Sequence, residues 1–129
     1  MIAVDTSSLV AFFEGTKGLD IDAVREGFRS KQLVLPPVVL SETLSTKTLS
    51  EEIAEILKAI ELLEITSGYW IRVGELRRSL LLLDRKARLA DVMIAQFCMD
   101  HRVALITRDS DFLPFTKFDL KLVVPMPSP

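Results

Sequence analysis

Five carboxylates stand at places in this sequence that packing alone explains poorly. Asp5 follows the apolar run Ile2-Ala3-Val4 and precedes Thr6, Ser7 and Ser8. An apolar run without alternation reads as a strand buried on both faces. Hydroxyl residues start helices. Asp5 therefore falls where a central strand ends and a helix begins, the edge at which open α/β sheets bind ligands. Capping the helix would also account for it, taken alone. Asp109 and Asp111 follow the strand-like Val103–Thr107 in the same setting, where turn and cap duty is the structural alternative. Glu42 lies three and four residues after Val39 and Val38, so a helix would place it on their apolar side. An exposed rim position or a salt bridge is the alternative there. Asp91 extends the stripe Asp91, Ile94, Ala95, Cys98 at i, i+3, i+4, i+7. It could equally be an acid favoured at a helix N-terminus.

Taken together the acids say more. Gathering four carboxylates costs desolvation and like-charge repulsion. A hard divalent cation removes both costs, and an all-oxygen donor set favours Mg²⁺, or Mn²⁺, over zinc. One cysteine and one histidine offer nothing to softer metals, and His101, near a helix end, reads as a capping residue. Other chemistries fail on inventory, since there is no GxGxxG, no Walker sequence and no CxxC pair. An aspartyl-phosphate mechanism wants a second acid two residues after the first, and that position is Ser7.

The elements that must position these acids alternate. A helix follows Asp5 through Leu9, Val10, Phe12 and Phe13, and Asp20–Ser30 is amphipathic through Ile21, Val24 and Phe28. Leu33-Val34-Leu35 is a second strand, and Pro36-Pro37 can open the helix that carries Glu42. Ser50 starts a helix with the stripe Ile53, Ile56, Leu57, Ile60, and Leu62–Thr66 reads as a third strand. After Gly68 a long helix recurs through Trp70, Val73, Leu76, Leu80 and Leu83, with Leu81 and Leu82 spilling outside the stripe as if to meet a partner. Leu89–His101 is a helix, Val103–Thr107 a strand and Leu120–Val124 a last strand before a proline-rich tail expected to fray. Alternating strands and helices predict an α/β fold, a parallel sheet covered on both faces.

With 129 residues, 49% of them hydrophobic, the chain is expected to be a single domain, 1–129, with a full core. No apolar run approaches the roughly 18–20 residues of a membrane span, and no basic-then-apolar leader opens the chain. A lone Cys98 cannot form an internal disulfide, so a cytoplasmic location is expected. The net charge of −2 is unevenly spread: residues 1–66 hold 6 Lys/Arg against 11 Asp/Glu, and residues 67–129 hold 10 against 7. Arg72, Arg77, Arg78, Arg85, Lys86 and Arg88 could form a local phosphate-binding patch, with a solvated helix face as the alternative.

Four stretches, IAVDTSS at the start, the Ser41-Glu42 pair, RKARLADVMIAQ over Arg85–Gln96 and LITRDSDF over Leu105–Phe112, occur in an order and spacing that resembles the PIN-domain ribonucleases. The resemblance covers nearly the whole chain and is nearest to the VapC-type toxins of toxin–antitoxin pairs. It implies a three-layer α/β/α fold with a central parallel sheet in the strand order 3-2-1-4-5. It also implies a Mg²⁺-dependent endoribonuclease whose acidic quartet falls on Asp5, Glu42, Asp91 and Asp109. Asp111 matches a second acid of the last loop, and the sequence leaves open which of Asp109 and Asp111 is the fourth ligand. Ser7 and Thr107 match small polar residues that orient the acids. The implied partners are RNA, a cognate antitoxin and a second copy in a homodimer, with Arg72, Arg77, Arg85, Lys86, Arg88 and Arg108 as the RNA-contacting candidates. Two alternatives stay open: a PIN-fold nuclease of RNA maturation, and a catalytically silent binding module. The acidic N-terminal half departs from what an RNA-binding surface would suggest.

Overall fold

The computed structural model describes residues 1–123. Its elements are β1 (Ile2–Val4), α1 (Thr6–Phe13), α2 (Leu19–Arg29), β2 (Leu33–Leu35), α3 (Pro37–Leu44), α4 (Glu51–Ala59), β3 (Glu61–Leu62), α5 (Tyr69–Leu82), α6 (Leu89–His101), β4 (Ala104–Ile106) and a 3-10 helix (Ser110–Phe118). The four strands are parallel in the order β3-β2-β1-β4. Successive residues of a strand face opposite sides of a sheet. Ala3, Val4, Leu33, Val34 and Leu35 are all buried, so helices cover both faces. The core fills with Leu9, Val24, Leu57, Leu80, Ile94, Phe97, Phe112 and Phe115. Parallel order places the C-terminal ends of β1 and β4 side by side, with Ile2, Ala3 and Val4 paired to Ala104, Leu105 and Ile106. Asp5 and Thr107 are the next residues on these two strands.

Helix α2 approaches the sheet closely at Gly27, where a Cβ would lie 3.1 Å from a Leu33 methyl and 3.4 Å from one of Ile2. A Cβ there would require the Leu33 side chain to give by a few tenths of an ångström.

The strand order 3-2-1-4 follows expectation, with the outer strands shorter. The third strand holds only Glu61 and Leu62 rather than 62–66. Downstream of it the chain serves other partners: the Glu64 carbonyl contacts His101 Nε2 at 2.7 Å, and Thr66 bonds Asp100 and Arg72. His101 thus closes an edge loop rather than capping its own helix. The fifth position is a single bridge between Leu122 and Leu105, flanked by Leu105 N–H donating to the Lys121 carbonyl and Val123 N–H to the Leu105 carbonyl. The expected strand end at Val124 and the proline-rich tail lie outside the described residues. In α5 the buried stripe is Tyr69, Val73, Leu76 and Leu80. Trp70 is exposed instead, because Tyr69 turns inward and its hydroxyl donates to the Met93 carbonyl at 2.7 Å, and Leu83, the C-cap residue, is exposed as well.

Candidate metal centre

Asp5 is 3% exposed. It caps α1 by accepting the Ser8 N–H at 3.1 Å, takes the Ser7 hydroxyl at 2.9 Å on both oxygens, and takes the Thr107 hydroxyl at 2.6 Å. Three donor hydrogens thus converge on a group with about four lone-pair sites. Burial pushes its pKa up to about 6, opposed by the bonds from Thr107, Ser8 and Ser7 and aided by the charge of Asp109. The cap explains the Ser8 bond; it does not explain a buried carboxylate facing another acid.

Asp109 follows β4 and starts the 3-10 helix. Its backbone N–H donates to the Thr107 hydroxyl at 3.0 Å, and its carboxylate accepts the Asp111 N–H at 2.9 Å. Thr107 is therefore shared: its hydroxyl gives a hydrogen to Asp5 and receives one from the backbone of Asp109. Asp91 stands in the first turn of α6, half-buried. Burial raises its pKa, Asp109, Asp111 and Glu42 add to the rise, and the Arg88 cation opposes it. One carboxylate oxygen each from Asp91, Asp109 and Asp111 lies within 4.8 Å of the others. Asp111 behaves differently. The Lys86 ammonium, at 3.1 Å, holds its pKa down despite some desolvation, and Arg88 contributes a second contact at 3.1 Å.

Of the five acids the structure thus draws Asp91, Asp109 and Asp111 into one triangle. Asp5 lies outside it but close enough to feel Asp109. Glu42 is the correction. It is exposed, not buried with Val38 and Val39. Thr43, one residue on, takes the inward position, with its hydroxyl bonded to the Val39 carbonyl at 2.6 Å. Glu42 instead accepts the Thr6 hydroxyl at 2.6 Å, which ties α3 to the first turn of α1 and turns the carboxylate toward Asp91's surroundings.

The donor chemistry fits a hard cation. Every group is an oxygen, and burial first, with the neighbouring acids adding to it, raises the pKa values of Asp5 and Asp91, a cost that a bound cation would relieve. Asp91, Asp109 and Asp111 present oxygens close enough together to hold such an ion, with Asp5 next to Asp109 and Glu42 at the rim.

The basic candidates divide. Arg72 is bound to Asp100 at 3.0 and 2.7 Å, and also to Thr66 and the Ser67 carbonyl. Arg108 is bound to the buried Asp20 at 2.8 and 3.1 Å, and Arg77 holds the Ala87 carbonyl at 2.8 Å. All three are held by partners within the fold. Lys86 and Arg88 reach the acidic cluster, and Arg85 is exposed beside them. Sequence reasoning missed Asp20, which also takes the Ser8 hydroxyl at 2.9 Å, and missed Asp100, whose oxygens collect Arg72, Thr66 and Gln96. Their partners lie up to 88 residues away, and no local pattern marks them.

A comparison with curated proteins gives no match. Among solved structures, a chain of a toxin–antitoxin complex from Klebsiella pneumoniae shares the fold with a TM-score of 0.68. Its identity is 21%, over 87% of this chain and 90% of that one. The PIN domain family model matches residues 2–117, the span that carries all four strands and every acid of the cluster. The chain belongs to the PIN domain family.

Proposed function

We propose that this protein is a Mg²⁺-dependent endoribonuclease, with Mn²⁺ as a substitute, that hydrolyses RNA phosphodiester bonds at the acidic cluster. The observation that carries the reading is the oxygen triangle of Asp91, Asp109 and Asp111 beside a buried Asp5 whose proton affinity is raised. A PIN domain over 2–117 supports it. In this reading Asp5, Asp91 and Asp109 hold the cation, Asp111 completes the oxygen set, and Glu42 is a ligand or the group that orients the attacking water. The chemistry such a cation supplies is a bound water of lowered pKa and charge balance at the scissile phosphate. Ser7 and Thr107 fix the Asp5 carboxylate, and Thr6 fixes Glu42, so that neither must reorganise when substrate arrives.

The biological role we infer is that of the toxin in a toxin–antitoxin pair, held by a cognate antitoxin and working in the cytoplasm. It is supported by the likeness to the chain from a toxin–antitoxin complex. No helix among the described residues is long and apolar enough to cross a membrane. The exposed leucines 81, 82 and 83 of α5 and its C-cap, with Leu89 at the start of α6, supply an apolar face suited to a homodimer. The test is an RNA pool incubated with purified protein in Mg²⁺ or in EDTA, with Asp5→Asn expressed in cells alongside. Cleavage in Mg²⁺ alone, and growth arrest lost in Asp5→Asn, are expected. Cleavage that survives EDTA, or arrest that survives the substitution, contradicts the assignment.

A further inference from the structure

Lys86 and Arg88 are held differently from Arg72 and Arg108. Arg72 and Arg108 each make two bonds to a carboxylate whose side chain is about one-tenth exposed, and both bond a backbone carbonyl besides. Lys86 and Arg88 make one contact each, at 3.1 Å, to the same oxygen of Asp111, and their side chains are 60% and 61% exposed. Exposed pairs of this kind are weak and readily exchanged. Both residues lie in the connection from α5 to α6. Arg88 is the N-cap residue of α6, where its donor-only guanidinium has no capping role, and it stands three residues before Asp91.

The Asp111 carboxylate therefore has two claimants. It contributes to the oxygen triangle with Asp91 and Asp109, and it is paired with the Lys86 and Arg88 cations, which would repel a divalent cation placed there. Long, flexible stems let Lys and Arg heads move several ångströms while the backbone stays fixed. We propose that Lys86 and Arg88 are exchangeable counter-ions: they neutralise Asp111 while the cluster lacks a cation, and pass to phosphates of bound RNA when a divalent cation takes up the charge of Asp111. The inference rests on the metal-site reading above. Metal entry and phosphate binding become coupled through it, because the same two cations cannot serve Asp111 and RNA at once. They are positioning residues, acting on the acidic cluster and on the backbone flanking the cleaved bond.

The double variant Lys86→Gln, Arg88→Gln separates this role from its alternatives, since substitutions on an exposed connection leave the fold intact. Calorimetric titration with Mn²⁺ in the absence of RNA should show tighter binding by about fivefold in the variant, the competing cations being gone. Anisotropy with a fluorescein-labelled 2′-O-methyl oligoribonucleotide in Mn²⁺ should show weaker binding. Its dependence on log salt should be shallower by about 1.4, from two lost phosphate contacts. Opposite signs in the two titrations are the signature. Equal or weaker Mn²⁺ binding by the variant overturns the exchange, as does an unchanged salt slope, while leaving the metal site standing. A wild-type protein that takes up no Mn²⁺ overturns the metal-site reading and the exchange with it.

Discussion

The Thr107 hydroxyl donates to the buried carboxylate of Asp5 at 2.6 Å across 102 residues of chain, and the same oxygen receives the backbone N–H of Asp109 at 3.0 Å. One side chain thus sets the position of two acids from two neighbouring strand ends. Thr107→Val keeps the shape and removes both bonds, leaving buried polar groups short of partners. The expected cost is about 1–3 kcal/mol in urea unfolding, together with reduced RNA cleavage. Thr107→Ser should restore most of both. A valine variant as stable and active as wild type would show that this link is incidental.

The Asp20–Arg108 pair makes an acid-sensitive contribution. Burial pushes the Asp20 carboxyl up, but the hydrogen bonds from Arg108 and Ser8 outweigh it and hold the pKa below its ordinary value. A depressed folded pKa means stability that is present above the unfolded value of about 4 and is lost as pH falls through the folded one. Asp20→Asn should therefore lower stability at pH 7 and flatten the loss of stability below about pH 4, as measured by unfolding across pH. Arg108→Ala should cost about 2 kcal/mol through the stranded Asp20 and leave the salt dependence of RNA binding as it was. A changed salt slope in Arg108→Ala would return this arginine to the RNA surface.

Asp5 has the opposite sign. Its pKa rises to about 6 in the folded protein, so its contribution is fully present below the unfolded value and is lost as pH rises through about 6. The loss amounts to about 3 kcal/mol in the metal-free protein. Mg²⁺ should offset it, so the rise in Tm on adding Mg²⁺ should be larger at pH 7.5 than at pH 5. Thermal melts in Mg²⁺ and in EDTA at the two pH values measure this directly. A Mg²⁺ effect independent of pH would place the ion elsewhere.

The apolar face of α5 invites a test of assembly. Leu82 is 68% exposed, too open to serve the monomer's core. Leu82→Lys should leave thermal stability of the monomer within about 0.5 kcal/mol and shift the mass seen by light scattering from dimer to monomer. A wild-type protein that is monomeric at micromolar concentration would contradict the proposed homodimer.

Much of this arrangement was legible in the sequence because period and position carried it. The unalternated Ile2-Ala3-Val4 run located β1 and, with it, Asp5; the stripe Ile94, Ala95, Cys98 located the buried face of α6 and put Asp91 on its first turn. For Glu42 the same logic favours the buried side, and the structure takes the exposed-rim alternative. A helix of eight residues has too few turns for periodicity to distinguish its buried edge from its rim, and Thr43 satisfies the inward position by donating its hydroxyl to the Val39 carbonyl one turn back. Trp70 failed for a related reason: adjacent aromatic residues both fit the stripe, and only the distant Met93 carbonyl selects Tyr69. The clamps of Arg72 on Asp100 and Arg108 on Asp20 join segments 28 and 88 residues apart. The sequence shows each charge there, and the fold alone supplies its partner.

Asp91→Asn tests the account most directly. Asp91 makes no hydrogen bond that the fold depends on among the described residues, and its carboxylate is raised in pKa by burial and by the neighbouring acids. Losing one charge should therefore spare the structure and remove a ligand. With circular dichroism and Tm matched to wild type, cleavage of an RNA pool in Mg²⁺ should fall by about 100-fold or more. Cleavage by the folded variant at the wild-type rate would contradict the acidic cluster as the catalytic centre.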